Sequence, residues 1–289
     1  MKRQYFVLTI GVIAVSFAAI FIRLAEAPFL VVAAYRMGLA ALVIVPLAWL
    51  RSGNELRRLS RQTVTLGLVS GAFLALHFGL WIASLSYTSV ATSVILVTTT
   101  PIFVAIASYF LFHEKLSRLA GAGIAISLAG SVLIGYGNWK LGTGSLFGGG
   151  LALLGALAVV GYMLIGRRLM RSMSLLSYIS LAYSSAAVIL LLAALVSGHR
   201  LTGYSTNTYI MLVLLAVVPQ LIGHSSVNWS LRFISATLVT VAVLGEPVGA
   251  TTLAVFILKE TPTISEIGGG ILILSGIFIA FSKNELPRE

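Results

Sequence analysis

The chain has 289 residues, of which 58% are hydrophobic and only 9% charged, against roughly a quarter charged in a soluble domain. Such a chain cannot cover itself with water-compatible surface, so its composition is that of a membrane protein. Cys and Asp are both absent, which excludes disulfides, thiolate nucleophiles and zinc–thiolate sites.

Ten apolar stretches follow one another, at about 5–22, 28–50, 64–86, 90–112, 118–135, 148–166, 176–196, 208–228, 236–258 and 265–282. Each is near the ~20 residues that cross a bilayer core. They predict an all-α polytopic membrane protein with ten transmembrane helices. The net charge of +11 follows from topology and does not point to a nucleic-acid partner. Of the 19 Lys and Arg, fourteen lie in the ends and loops of one side, Arg51, Arg57, Arg58 and Arg61 among them. Four lie on the other side (Arg23, Lys140, Arg200 and Lys259), and Arg36 falls inside the second span. Positive charge in short loops stays inside, so both termini are expected in the cytoplasm and the protein in the cell (inner) membrane.

In the first span, Lys2 and Arg3 before an apolar run and Ala25-Glu26-Ala27 imitate a secretory signal. Pro28 would impair cleavage there and removal would strand nine spans, so the first helix is expected to be retained. The second span holds Arg36, which could balance Glu246, receive a substrate carboxylate or snorkel. Ionisable groups within spans usually face an interior cavity. In the third span Gly67 and Gly71 suit close helix packing, and His77 and Trp81, four apart, share a helix face. The fourth contains Pro101, whose missing amide would free the carbonyl of Val97. Glu114 follows at the helix end, where the macrodipole disfavours an anion; it is read as structural. Gly121, Gly123 and Gly130 of the fifth span are packing residues.

The eighth span carries Gln220, His224 and Asn228 at four-residue spacing beside Trp229, a polar stripe that could line a cavity or bond helix to helix. In the ninth, Glu246 precedes Pro247, which frees the Val243 carbonyl; Glu246 could bond such a carbonyl or carry a proton. Glu260 repeats the situation of Glu114, and Thr263 with Glu266 fits a capping box opening the tenth helix. His77 and His224 lack a carboxylate or thiolate at ligand spacing, so no metal is expected.

A shift of 146 residues superposes Ser84-Leu85 on Ser230-Leu231, Pro101 on Pro247, Glu114 on Glu260, Gly123 on Gly269 and Gly130 on Gly276. It also sets His77 against Gly223, next to His224. The chain therefore divides into five-helix repeats at 1–140 and 141–289. An odd number of crossings makes the second enter from the opposite side, giving inverted repeats, the architecture of many secondary transporters. A freed carbonyl at equivalent places in both halves suggests a shared hinge at Pro101 and Pro247 or a common cavity wall.

Pro219 to Trp229, Gly245-Glu246-Pro247-Val248 and Leu258 to Thr263 in the second half, and Thr100-Pro101-Ile102-Phe103 with Phe112-His113-Glu114-Lys115 in the first, resemble EamA-type transporters of the drug/metabolite transporter superfamily. Tyr162 with Gly166-Arg167-Arg168 resembles the sixth-span pattern. The resemblance implies a ten-helix inner-membrane carrier, commonly an exporter of amino acids or other small metabolites, with a central cavity built from both halves. It adds Tyr162 to the candidate substrate-binding residues His77, Trp81, Gln220, His224 and Asn228. Where many members carry a Trp-Gly-Ser-like signature, Val15-Ser16-Phe17 stands.

The expected function is alternating-access export of small metabolites, amino acids among them, by secondary active or facilitative transport, with lipid and a small-molecule substrate as partners. Arg36 and Glu246 are candidate cavity charges, and Glu246 a candidate for proton coupling. An exporter of lipophilic cations is the alternative, with Glu246 as the pocket carboxylate. No phosphate-binding loop calls for ATP and no cofactor is implied. No nucleophile–base or metal-ligand pattern suggests an enzyme, and the loops are too short for a sensor's output domain.

Overall fold

The computed structural model describes residues 2–88, 93, 96–97, 99–113, 116–139, 146–258 and 264–281. Glu114, Glu260, Thr263 of the expected capping box, and Lys115, Lys140, Lys259, Lys283 and Arg288 lie outside the described residues. Every regular element among the described residues is helical. Lipid offers no partner for backbone N–H and C=O groups, so apolar segments pair them internally.

In chain order the helices are α1 (Lys2–Ser16) and α2 (Ala18–Leu24), α3 (Phe29–Arg57), α4 (Arg61–Tyr87), α5 (Thr100–Phe112), α6 (Arg118–Trp139), α7 (Leu146–Leu169) and α8 (Leu175–Val196). Then come α9 (Thr206–Leu215), a π-helical stretch Ala216–His224, α10 (Ser225–Ser230), α11 (Ala236–Val243), α12 (Glu246–Leu253), a π-helical turn Ala254–Leu258 and α13 (Ile264–Phe281). Among the described residues seven helical stretches are long and apolar enough to cross a bilayer; Thr100–Phe112, Arg118–Leu133 and Ile267–Phe281 are apolar but shorter. The protein is a multi-pass helical membrane protein.

Serines start many of these helices. Ser60, Ser174, Ser205 and Ser235 each accept a hydrogen bond at Oγ from the amide three residues on, at 3.1 to 3.3 Å. That bond satisfies one of the four amides a helix start leaves unpaired.

Pro247 lies mid-way along the candidate span Ala236–Ile257, as expected, and each proline follows a break in the helix. Pro101 is the second residue of α5 and Pro247 the second of α12, where a missing N–H costs little because first-turn amides lack an intrahelical acceptor. The break falls ahead of each proline, as turns at Thr99 and at Leu244-Gly245. The Val97 carbonyl, expected to be free, accepts from Thr100 Oγ1 at 2.7 Å.

Shape is set by close helix pairs. α3 packs along α8, and α6 along α13. Gly123 faces the Gly276 carbonyl and Gly130 the Gly269 carbonyl, each so near that an added Cβ would lie 2.5 Å from the oxygen. Between them Ser127 Oγ donates to the carbonyl of Ile273, 146 residues away, at 3.2 Å. Gly67 and Gly71 of α4 admit Leu181 and Ala182 of α8. Elsewhere α4 packs on α7 while the stretch 216–230 packs on α1, and α5 packs on α7 while α12 packs on α1.

Polar contacts tie helices together at both ends. At one end Glu55, beyond a non-helical Ser52, accepts from the Ser174 amide at 2.7 Å, Ser174 Oγ at 2.5 Å and Ser177 Oγ at 2.8 Å, an anion at the positive start of α8. At that end too, Arg167 Nη1 donates to the carbonyls of Leu231 and Ile234 at 3.3 and 2.6 Å. At the other end Tyr35 donates to the Leu201 carbonyl at 2.7 Å, and Asn207 to that of Leu24 at 3.5 Å.

Candidate functional site

The turns ahead of α5 and α12, the break at Phe17 and the middle of α4 meet around one cavity of about 80 Å³. One water needs about 10–15 Å³ on this measure, so there is room for several waters or a small solute. Residues of both halves line it, among them Ala18, Arg36, His77, Phe78, Trp81, Thr100 and Pro101, and Met163, His224, Val227, Thr240, Glu246 and Pro247. Five pairs on this wall are 146 residues apart: Phe78 and His224, Trp81 and Val227, Val97 and Val243, Thr100 and Glu246, Pro101 and Pro247.

Arg36 is 1% exposed, so it does not snorkel. Its Nε donates to Gln220 Oε1 at 2.9 Å and its guanidinium lies 4.0 Å over the Phe78 ring, an attraction strengthened by burial. Phe78 meets His224 edge to face, with ring centroids 5.3 Å apart. His77 donates from Nδ1 to the Gly155 carbonyl at 3.0 Å, fixing its tautomer, and stacks parallel to Trp81 with centroids 6.1 Å apart.

Of the sequence-derived candidates, Arg36, His77, Trp81, His224, Glu246, Pro101 and Pro247 share this wall. Tyr162, Gln220 and Asn228 stand behind it, fully buried. Gln220 holds Arg36, and Asn228 Nδ2 donates to the Tyr162 hydroxyl. The expected single polar stripe is therefore divided. Ala216–His224 is π-helical around Pro219, and its i→i+5 bonding turns side chains away from α-helical register, so residues four apart no longer stack. Phe78 was not among the candidates. The 146-residue shift would have found it, because it sets Phe78, rather than His77, opposite His224.

Comparison with known proteins accords with this architecture. The model of the EamA-like transporter family matches twice, over residues 2–136 and 146–282. The chain belongs to the EamA-like transporter family. It is a membrane transporter and not an enzyme. The uncharacterized inner membrane transporter YedA of Escherichia coli K12 is 25% identical, over 91% of this chain and 85% of its own length. The uncharacterized transporter YxxF of Bacillus subtilis is 23% identical, over 86% and 79%. A solved crystal structure, 19% identical, superposes with a TM-score of 0.81 over 97% of this chain and 98% of its own, and shares the fold.

Proposed function

We propose that this transporter exports small metabolites, amino acids among them, by alternating access through the central cavity, as a secondary active or facilitative carrier. The observation that carries this reading is the set of five residue pairs, each 146 apart, on one cavity wall. On this reading ten crossings form two inverted five-helix units, 1–140 and 141–289, in the inner membrane with both termini cytoplasmic. Reciprocal contacts support it: Gly123 meets Gly276 while Gly130 meets Gly269, the signature of a surface packed on its own repeat copy about a twofold axis. A cavity on that axis can stay in place while one bundle rocks against the other and opens it to each side in turn. The helix breaks ahead of Pro101 and Pro247 give each half a place to bend.

The test is flux. Purified protein in liposomes, given labelled amino acids and related metabolites with and without an imposed pH gradient, is expected to move at least one of them; an inert broad panel overturns the reading. A flux that follows the gradient in wild type and not in Glu246→Gln assigns Glu246 the proton. Reporter fusions at both ends are expected to read out on the cytoplasmic side.

Export of lipophilic cations is a second reading, favoured by Glu246 on the wall and opposed by the buried Arg36 sharing it. Cation resistance conferred by expression of the protein and lost in Glu246→Gln would support it.

A further inference from the structure

Within α3 the chain turns abruptly from apolar to basic. Residues 51–61 carry four arginines against one glutamate, directly after the apolar run that ends at Leu50. There the helix bends at Ser52, whose φ of −133° and ψ of 20° are not helical. Beside the bend lies a hollow of about 410 Å³, with Trp49, Leu50, Arg51, Ser52, Glu55 and Arg57 in its wall. That volume is within the roughly 300–1,000 Å³ of small-molecule sites. The hollow shares no lining residue with the central cavity.

The Arg57 guanidinium lies over the Trp49 ring, 5.9 Å from its centroid, a contact that holds the cation without using a hydrogen-bond acceptor. Glu55, the carboxylate on this wall, gives both its oxygens to Ser174 and Ser177. Arg51, Arg57, Arg58 and Arg61 are all exposed. On the membrane side of the hollow, Val43, Leu47 and Leu50 recur at four- and three-residue spacing and so share one helix face. They are 51%, 36% and 82% exposed. Trp49 beside them is a residue type that sits at headgroup level. An exposed apolar lane thus runs into a basic hollow at the point where the span ends.

We infer that this hollow binds an anionic phospholipid, with its phosphate between Arg51 and Arg57 and one acyl chain along Leu50, Leu47 and Val43. A soluble phosphate would use the arginines and leave the lane empty, whereas a zwitterionic lipid would bring a cation into a cationic site. Arginine suits the task because its planar donors pair with phosphate oxygens two at a time, and basic clusters at the end of a span attract anionic lipid. The site stands whatever the central cavity transports.

The experiment is native mass spectrometry of the full-length protein in detergent, titrated with phosphatidylglycerol or with phosphatidylcholine of the same chains. Phosphatidylglycerol is expected to bind at least about tenfold more tightly. Arg51→Gln combined with Arg57→Gln should remove that preference. Arg200→Gln, which removes an exposed arginine at the opposite end, should keep it. Arg51→Gln alone, expected to weaken phosphatidylglycerol about threefold to fivefold, carries the test should the double variant fail to fold. Leu50→Asn should weaken phosphatidylglycerol about threefold and leave binding of glycerol 3-phosphate, the free headgroup, unchanged. Equal affinity for the two lipids, arginine variants that bind like wild type, or an equal loss in Arg200→Gln overturns the site. Displacement of phosphatidylglycerol by an equal concentration of glycerol 3-phosphate, or unchanged lipid binding in Leu50→Asn, overturns the lipid as occupant in favour of a soluble anion.

Discussion

Phe78 and His224 stand 146 residues apart in the chain and touch edge to face at 5.3 Å in the cavity. The same Phe78 ring supports the Arg36 guanidinium on its face. One aromatic side chain thus joins the first half's buried cation to the second half's imidazole.

Phe78→Leu keeps apolar volume but removes the π face. Loss of a desolvated cation–π contact and an aromatic pair is expected to lower stability by about 2–3 kcal/mol, measured as thermal unfolding in detergent. Because Arg36 loses its orientation, transport should fall more than protein abundance does. Phe78→Tyr should retain most of the stability.

Gln220→Leu removes the acceptor for Arg36 Nε. A hydrogen bond to a buried charge contributes about 1.5–3 kcal/mol, and its loss leaves an unmatched donor. The variant is expected to unfold earlier by that amount. A Gln220→Leu protein as stable as wild type would show that the bond holds nothing in place.

At the α6–α13 contact, Gly130→Val would drive a branched side chain into the Gly269 carbonyl. Overpacking of this kind costs typically about 1–3 kcal/mol, and in lipid such a contact depends on close backbone approach. Reduced melting temperature and reduced flux are the expected results. Gly38→Ala, where nothing lies near an added Cβ, is the matching control and should have little effect.

Glu55→Gln tests the cap on α8. The carboxylate accepts three bonds from Ser174 and Ser177, and neutralising it should cost about 0.5–2 kcal/mol. The loss should be larger at low salt than at high salt if the helix dipole contributes. No change in thermal unfolding at low salt would assign the cap to the serines alone.

Much of the helical framework was legible because lipid makes length and apolarity decisive. The expected second, third, sixth and seventh spans correspond to α3, α4, α7 and α8 with ends differing by a few residues. The expected first span falls within Arg3–Leu24, which makes one turn at Phe17. The sequence places an irregularity at Pro101 and Pro247 but not the helix end, because proline announces an irregularity without saying on which side of it the helix stops; the turns fall ahead of both. Residue type favoured His77, Gln220 and Asn228, yet Phe78 proved central to the cavity while Gln220 and Asn228 stand behind its wall.

The chain alone determined that this is a helical membrane protein, which stretches are apolar, and that its halves are related by a 146-residue offset; these depend on local hydrophobicity and on residues compared at a fixed spacing. Only the tertiary structure decided which polar groups face the cavity. The rotation of each helix about its own axis is set by the neighbours it packs against, and in the eighth span a π-helical stretch resets that rotation within the helix itself.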